Sequence, residues 1–177
     1  MTNPTRLPSV DFERDGLRIV SLNARRLLLF LDNQPALCRA LGLPEQAIEN
    51  IDELIELTRG EIVSLVKNEP HGWLYFTRWL SIEVKTGLVV ADFMIKTGLD
   101  SSGAVEIGYG THTPFLDKGF MTRTIAVFLE WAKTESPILR VKAETHADNE
   151  ASIRVLEKNG FAKWVDLGES IWWEWRV

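Results

Sequence analysis

The stretch Ala143-Glu-Thr-His-Ala-Asp-Asn149-Glu-Ala-Ser152-Ile-Arg-Val-Leu-Glu-Lys-Asn-Gly160-Phe161 decides how the rest of this chain is read. It divides into a strand end, a turn, a short helix, a stop at Gly160 and a further strand. Asp148 or Asn149 opens the helix, because a short polar side chain accepts hydrogen bonds from the orphan amides of a first turn. Gly160 closes it, because glycine takes the left-handed conformation that ends a helix. At helical spacing Asn149, Ser152, Ile153 and Leu156 share a face, so an amide, a hydroxyl and two aliphatic groups point together.

Upstream of this segment the same grammar recurs. Leu139, Val141, Ala143 and Thr145 alternate with Arg140, Lys142 and Glu144, which predicts a strand after Pro137. Before it, Met121, Ile125, Phe128, Leu129 and Ala132 form one stripe of a helix that starts after Gly119. Earlier still, Val105, Ile107 and Tyr109 alternate with Glu106, Gly108 and Gly110. A strand, a helix of about a dozen residues and another strand is the pattern of a parallel crossover. Two further strands, about Leu74–Lys85 and Leu88–Lys96, join at Thr86-Gly87. In the first, Tyr75, Thr77, Trp79 and Ser81 share a face. Downstream, strands are expected near Ala162–Asp166 and Ile171–Arg176.

The amino-terminal part is helical in pattern. Asn23 caps a helix carrying Leu27–Leu31, and Pro35 opens a second piece that runs to Gly42. Apolar residues at 51, 54, 55, 62, 65 and 66 predict a third helix, broken at Pro70-His71-Gly72. Leu17–Leu22 reads as a first strand, and residues 1–16 as a flexible arm. The expectation is one mixed α/β domain over 17–177.

Totals set limits on function. The 177 residues suit one buried core, with 45% hydrophobic and 25% charged residues. A net charge of −5 argues against a nucleic-acid footprint. Cys38 is the only cysteine, and His71, His112 and His146 lack metal-ligand spacing, so no metal site is expected. No signal segment or membrane span is read, and the expected compartment is the cytoplasm. Seven tryptophans, mostly on strands, are read as core or subunit packing.

Two places can carry chemistry. Thr113-Pro-Phe-Leu116-Asp117-Lys118-Gly119-Phe120-Met121-Thr122 feeds a glycine turn into a helix start, where unpaired amides and the helix dipole favour an anion. It is no nucleotide P-loop, since the second glycine and the Lys-Ser/Thr pair are missing. Glu106 sits on a strand face otherwise bare, beside Gly108 and Gly110. A carboxylate next to exposed backbone suits a proton acceptor near a bound chain.

Glu106-Ile-Gly-Tyr109, Lys118-Gly-Phe-Met-Thr122 and the Glu144-to-Phe161 stretch together resemble the GNAT superfamily of acyl-CoA N-acyltransferases, nearest its ribosomal-protein N-terminal acetyltransferase branch. The likeness is strong over about 89–161 and loose in the helical amino-terminal third. It implies a mostly antiparallel sheet, splayed between its fourth and fifth strands and flanked by helices, with acetyl-CoA wedged in the gap. It further implies pyrophosphate on the amides of Leu116–Met121, with Thr111, His112, Thr113, Lys118 and Thr122 nearby. Asn149 matches the residue that holds the pantetheine arm, Ser152 the hydroxyl that protonates the leaving thiolate, and Glu106 the base. An amide near Gly110–His112 would polarise the thioester. Tyr75, Trp79 and His112 are candidates for the acceptor side.

The departures are specific. The family's loop pattern of Gln or Arg, two residues, Gly, one residue, then Gly or Ala meets Leu116 at its first place and Met121 at its last, with Gly119 kept. Leu156 stands where many relatives carry a tyrosine acid. The implied activity is N-acetylation of a primary amine, a protein amino terminus or a small molecule, by direct transfer in a ternary complex. The alternative is a non-catalytic acyl-CoA-binding or scaffold protein. A monomer and a homodimer both remain open.

Overall fold

The computed structural model describes residues 10–49 and 73–177. The helix expected from residue 51 lies outside the described residues. The elements in order are β1 (Asp11–Arg14), β2 (Leu17–Ser21), α1 (Ala24–Asp32), α2 (Gln34–Leu41), β3 (Arg78–Glu83) and β4 (Leu88–Ile95). They continue with β5 (Ala104–Thr111), α3 (Phe120–Glu135), β6 (Arg140–His146), α4 (Glu150–Lys158), β7 (Ala162–Asp166) and β8 (Ser170–Arg176). The strands form one eight-stranded sheet in the order β1-β2-β3-β4-β5-β6-β8-β7.

Each neighbouring pair is antiparallel except β5 and β6, which α3 connects as a parallel crossover. Their pairing runs only from Ala104 opposite Arg140 to Ile107 opposite Ala143. Beyond it β5 continues to Thr111 and β6 to His146 without pairing to one another. The splay expected from the sequence is therefore present, between the fifth and sixth strands.

The shift in count comes from β1. Asp11–Arg14 belongs to the stretch read as a flexible arm, yet it pairs along β2 from Asp11 opposite Val20 to Arg14 opposite Leu17. Arg18 holds it through two hydrogen bonds to the Asp11 carboxylate, at 2.8 and 2.9 Å. A second correction concerns the strand expected from Leu74. Trp73–Phe76 forms a 3-10 turn, and the strand begins only at Arg78. A register shift between Ser81 and Ile82 then breaks the simple alternation.

Adjacent strand residues point to opposite faces, and Arg78 and Trp79 show what covers each. Trp79 stacks on Phe93 with ring centroids 5.5 Å apart and meets Trp131 of α3 at 5.0 Å. Phe128 of α3 closes on Phe93 at 4.8 Å, and the Thr124 hydroxyl donates to Ser81 Oγ at 2.8 Å. The Arg78 guanidinium lies 4.8 Å from the Phe30 ring of α1. So α3 covers one face of the sheet and α1 the other.

The helix termini follow the sequence signals. Asn23, Asn33 and Asn149 cap α1, α2 and α4 by accepting from the amides of Arg26, Ala36 and Ser152. Gly160, at φ 77°, ends α4 in a Schellman arrangement: the Phe161 amide donates to Leu156 and the Gly160 amide to Glu157. No helix among the described residues is long and apolar enough to cross a membrane.

Candidate active site

The backbone of β5 defines the gap. Lys96 N–H donates to the Glu106 carbonyl, and His112 N–H donates to the Val90 carbonyl. Even-numbered residues of β5 thus bond toward β4, and odd-numbered ones face β6. Ile107 is the last of these with a strand partner there. The N–H and C=O groups of Tyr109 and Thr111 consequently open into the gap. Of the Gly110–His112 amides expected to polarise a carbonyl, only that of Thr111 faces it.

Thr111 also lines a cleft of about 240 Å³ between the β5–α3 loop and α4. Leu116, Asp117, Gly119, Phe120, Met121 and Thr122 form one wall. Gly119, at φ 73°, turns the chain into α3 and leaves that helix start with no side-chain cap. The other three described helices each have an asparagine there. The first-turn amides of α3 are therefore available to an anion, at the positive end of the helix dipole. Asp117 precedes the turn at φ 58°, an unusual conformation for a residue with a side chain.

The opposite wall is Ala151, Arg154, Val155 and Lys158 of α4. These residues fall at helical spacing and bring two cations to the cleft. Arg154 also donates to Glu150 at 3.0 Å on the helix surface. The sequence reading selected the neighbouring stripe, Asn149, Ser152, Ile153 and Leu156, and missed this one. The signal was present in the spacing of Arg154 and Lys158, but a basic pair on a short helix reads equally as a solvated face.

The selected stripe turns toward β5. Leu156 is fully buried, and the Tyr109 hydroxyl donates to the Ser152 carbonyl at 3.3 Å. Burial raises the Tyr109 phenol above its ordinary range, so it is protonated at neutral pH. Asn149 is exposed, its Oδ1 taken by the Ser152 amide at 3.0 Å.

Three residues expected at the coenzyme point elsewhere. His112 is buried with Nδ1 3.0 Å from the Val89 carbonyl and Nε2 3.1 Å from Asp92 Oδ2. The other Asp92 oxygen accepts from the Nη1 of buried Arg78. Thr113 gives both its amide and its hydroxyl to Glu49, at 2.6 and 2.9 Å. The amide holds the Glu49 carboxyl below its ordinary range. Lys118 folds back onto the Pro114 carbonyl at 2.8 Å.

Across the sheet, Glu106 lies one residue before the strands part, on the face of Gly108 and Gly110. Its side chain is 14% exposed and forms an ion pair with Lys96. It lines a groove of about 390 Å³ with Lys142, Trp164, Leu167 and Trp172 among its other walls. Neither candidate from the β3 region reaches that groove. Trp79 is wholly buried beneath α3, and half-buried Tyr75 sits in the 3-10 turn, burial raising its phenol. Period-two reasoning gave Trp79 a face, and the helix that covers this face removed it from solvent.

Comparison with known proteins agrees with this geometry. Residues 20–162 match the family model described as acetyltransferase (GNAT) domain. The uncharacterized N-acetyltransferase YjdG of Bacillus subtilis is 29% identical over 97 residues, 55% of this chain and 56% of that protein. The chain thus spans about half the length of that relative. Among solved structures, the ribosomal-protein-S5-alanine acetyltransferase of Vibrio fischeri superposes with a TM-score of 0.61 at 16% identity, covering 94% of this chain and 96% of that one. The spermidine N-acetyltransferase of Vibrio cholerae gives 0.60 at 13% identity, over 92% and 95%. A ribosomal L7/L12 α-N-protein acetyltransferase in complex with coenzyme A gives 0.60 at 15% identity, over 93% and 96%. With a family model matched over most of its length and a sheet parted where that fold parts, the chain belongs to the GNAT acetyltransferase family.

Proposed function

We propose that the protein transfers an acetyl group from acetyl-CoA to a primary amine, directly and within a ternary complex. The observation that carries this reading is the parting of β5 from β6 beyond Ile107. It leaves the backbone edge of Tyr109 and Thr111 unpaired, with the cleft at the uncapped α3 start beside Thr111 and Glu106 one residue before the parting. The named relatives acetylate proteins or spermidine, both of which present primary amines, and this supports the same acceptor chemistry here.

The residues present suit the co-substrate. The α3 amides, Arg154 and Lys158 would take the pyrophosphate, whose charge they oppose. The edge of β5 would hydrogen-bond the extended arm as a strand would, with the Asn149 amide at its mouth. When bound, the thioester supplies an activated carbonyl. The Thr111 amide donates toward its oxygen, as an oxyanion donor does. Glu106, ion-paired with Lys96, takes a proton from the amine directly or through water. The amine nitrogen then bonds to the carbonyl carbon, the carbon–sulfur bond breaks, and the thiolate gains a proton. That proton would come from the Ser152 hydroxyl or from Tyr109, whose hydroxyl donates to the Ser152 carbonyl.

Initial rates of thiol release test this reading. Both substrates varied together should give intersecting double-reciprocal lines. Parallel lines would rule out direct transfer. Coenzyme A binding with no thiol release for any amine would favour the non-catalytic alternative.

A further inference from the structure

The groove that contains Glu106 opens on the α1 face of the sheet, and no described helix contributes to its lining. Its walls are aromatic and aliphatic: Trp164 is 53% exposed and Leu167 is 64% exposed, beside half-buried Trp172. Large apolar groups held open to solvent beside a partly buried carboxylate mark a place where another molecule sits.

The charges narrow what that molecule is. Two carboxylates line the groove, and both have partners. Glu106 is paired with Lys96. Asp100 accepts from the Ser102 hydroxyl and amide and from the Ala104 amide, which hold its turn. Lys142 adds a cation, its Nζ 4.9 Å from the Trp164 ring. A polyamine carries several separated positive charges, each needing an anion. Beyond Glu106 this lining offers only Asp100, whose Oδ1 is engaged in its turn, and it sets Lys142 in the way. An amine attached to a bulky apolar body meets the opposite situation, with one charge beside Glu106 and apolar surface against the two tryptophans and Leu167.

Resting on the acetyl-transfer reading above, we propose that this groove seats the acceptor, and that the acceptor is an α-amine flanked by a large apolar or aromatic side chain. A free amino-acid derivative and the first residue of a peptide share that chemistry.

Thiol release is to be measured with phenylalaninamide, leucinamide, glycinamide, spermidine, and peptides beginning with Phe or Gly. The Phe and Leu acceptors are expected to exceed glycinamide and spermidine in kcat/KM by about tenfold or more. Preference for the peptide or for the amide identifies the source. Trp164→Ala and Leu167→Ala, both at exposed positions, should raise KM for phenylalaninamide several-fold while KM for acetyl-CoA holds. Lys142→Glu should narrow the gap between phenylalaninamide and spermidine. Equal kcat/KM for all amines, or a preference for spermidine, overturns the proposal and leaves acetyl transfer standing. If no amine releases thiol, the acetyl-transfer reading fails and binding decides the groove's role. Saturable quenching of tryptophan fluorescence by phenylalaninamide, lost in Trp164→Ala, supports the occupant, and its absence refutes it. A dimer that Trp164→Glu converts to monomer would also refute it, since a second copy would then cover this face.

Discussion

The two sides of the gap are built from different materials. On the α3–α4 side, the groups proposed to hold the co-substrate are mainly backbone: the first-turn amides after Gly119 and the edge of β5. On the other side the proposed proton acceptor is one side chain, Glu106, on a strand face with two glycines. Backbone is present whatever the side chains are, so the first side can carry Leu116, Asp117 and Met121 where relatives carry other residues. The second side has no such tolerance. In the proposed mechanism its chemistry rests on one carboxylate, ion-paired with Lys96.

Substitutions can break that contrast. Glu106→Gln removes the proton acceptor and leaves the groove's shape. It is expected to lower kcat about 10²–10⁴-fold, with KM for acetyl-CoA unchanged. An unchanged kcat would take Glu106 out of that role. On the backbone side, the double replacement of Arg154 and Lys158 by Ala should raise KM for acetyl-CoA roughly tenfold through lost charge-assisted contacts, with kcat preserved. The penalty should shrink in high salt. A still smaller effect is expected from Asp117→Asn, which relieves repulsion at an exposed position and should lower KM for acetyl-CoA by about twofold. A large fall in kcat there would mean that side chains matter on both sides.

The groove's rim offers a last, mild test. Hydrogen bonds from the Ser102 hydroxyl and the Ala104 amide hold the Asp100 carboxyl at about 2, below its ordinary 3.8. Because the folded value is the lower one, its contribution to stability is full above the ordinary value and disappears as pH falls through about 2. Urea unfolding between pH 5 and pH 2 should therefore show a slightly shallower acid loss in Asp100→Asn than in wild type. Identical acid limbs would mean the turn gains nothing from the charge.

How much of this was legible depends on whether it was local. The alternation of Val105, Ile107 and Tyr109 against Glu106, Gly108 and Gly110 reports one strand and its bare face without help from elsewhere. The asparagine caps and Gly160 do the same for helix ends. By contrast, β1 escaped notice because Asp11-Phe-Glu-Arg14 is short, charged and at a sheet edge, where little burial is required. The Arg78–Asp92–His112 cluster draws on three strands or strand ends far apart in sequence, so nothing local announces it. His112 and Trp79 were placed by strand position alone, and the partner that buries each lies on another element. The Arg154–Lys158 stripe was visible as spacing, but only the loop opposite gives it a purpose.

The short parallel ladder has a mechanical consequence. Running only from Ala104 to Ile107, it is, among the described residues, the sole strand pairing that joins β1–β5 to β6–β8. The molecule is in this sense two antiparallel panels hinged along a partial seam. Any extended chain lying against Tyr109 and Thr111 supplies the rungs that the seam lacks. Ligand and sheet then become one continuous fabric, and the exchange of those two amides with solvent should slow on binding more than that of any other pair in β5.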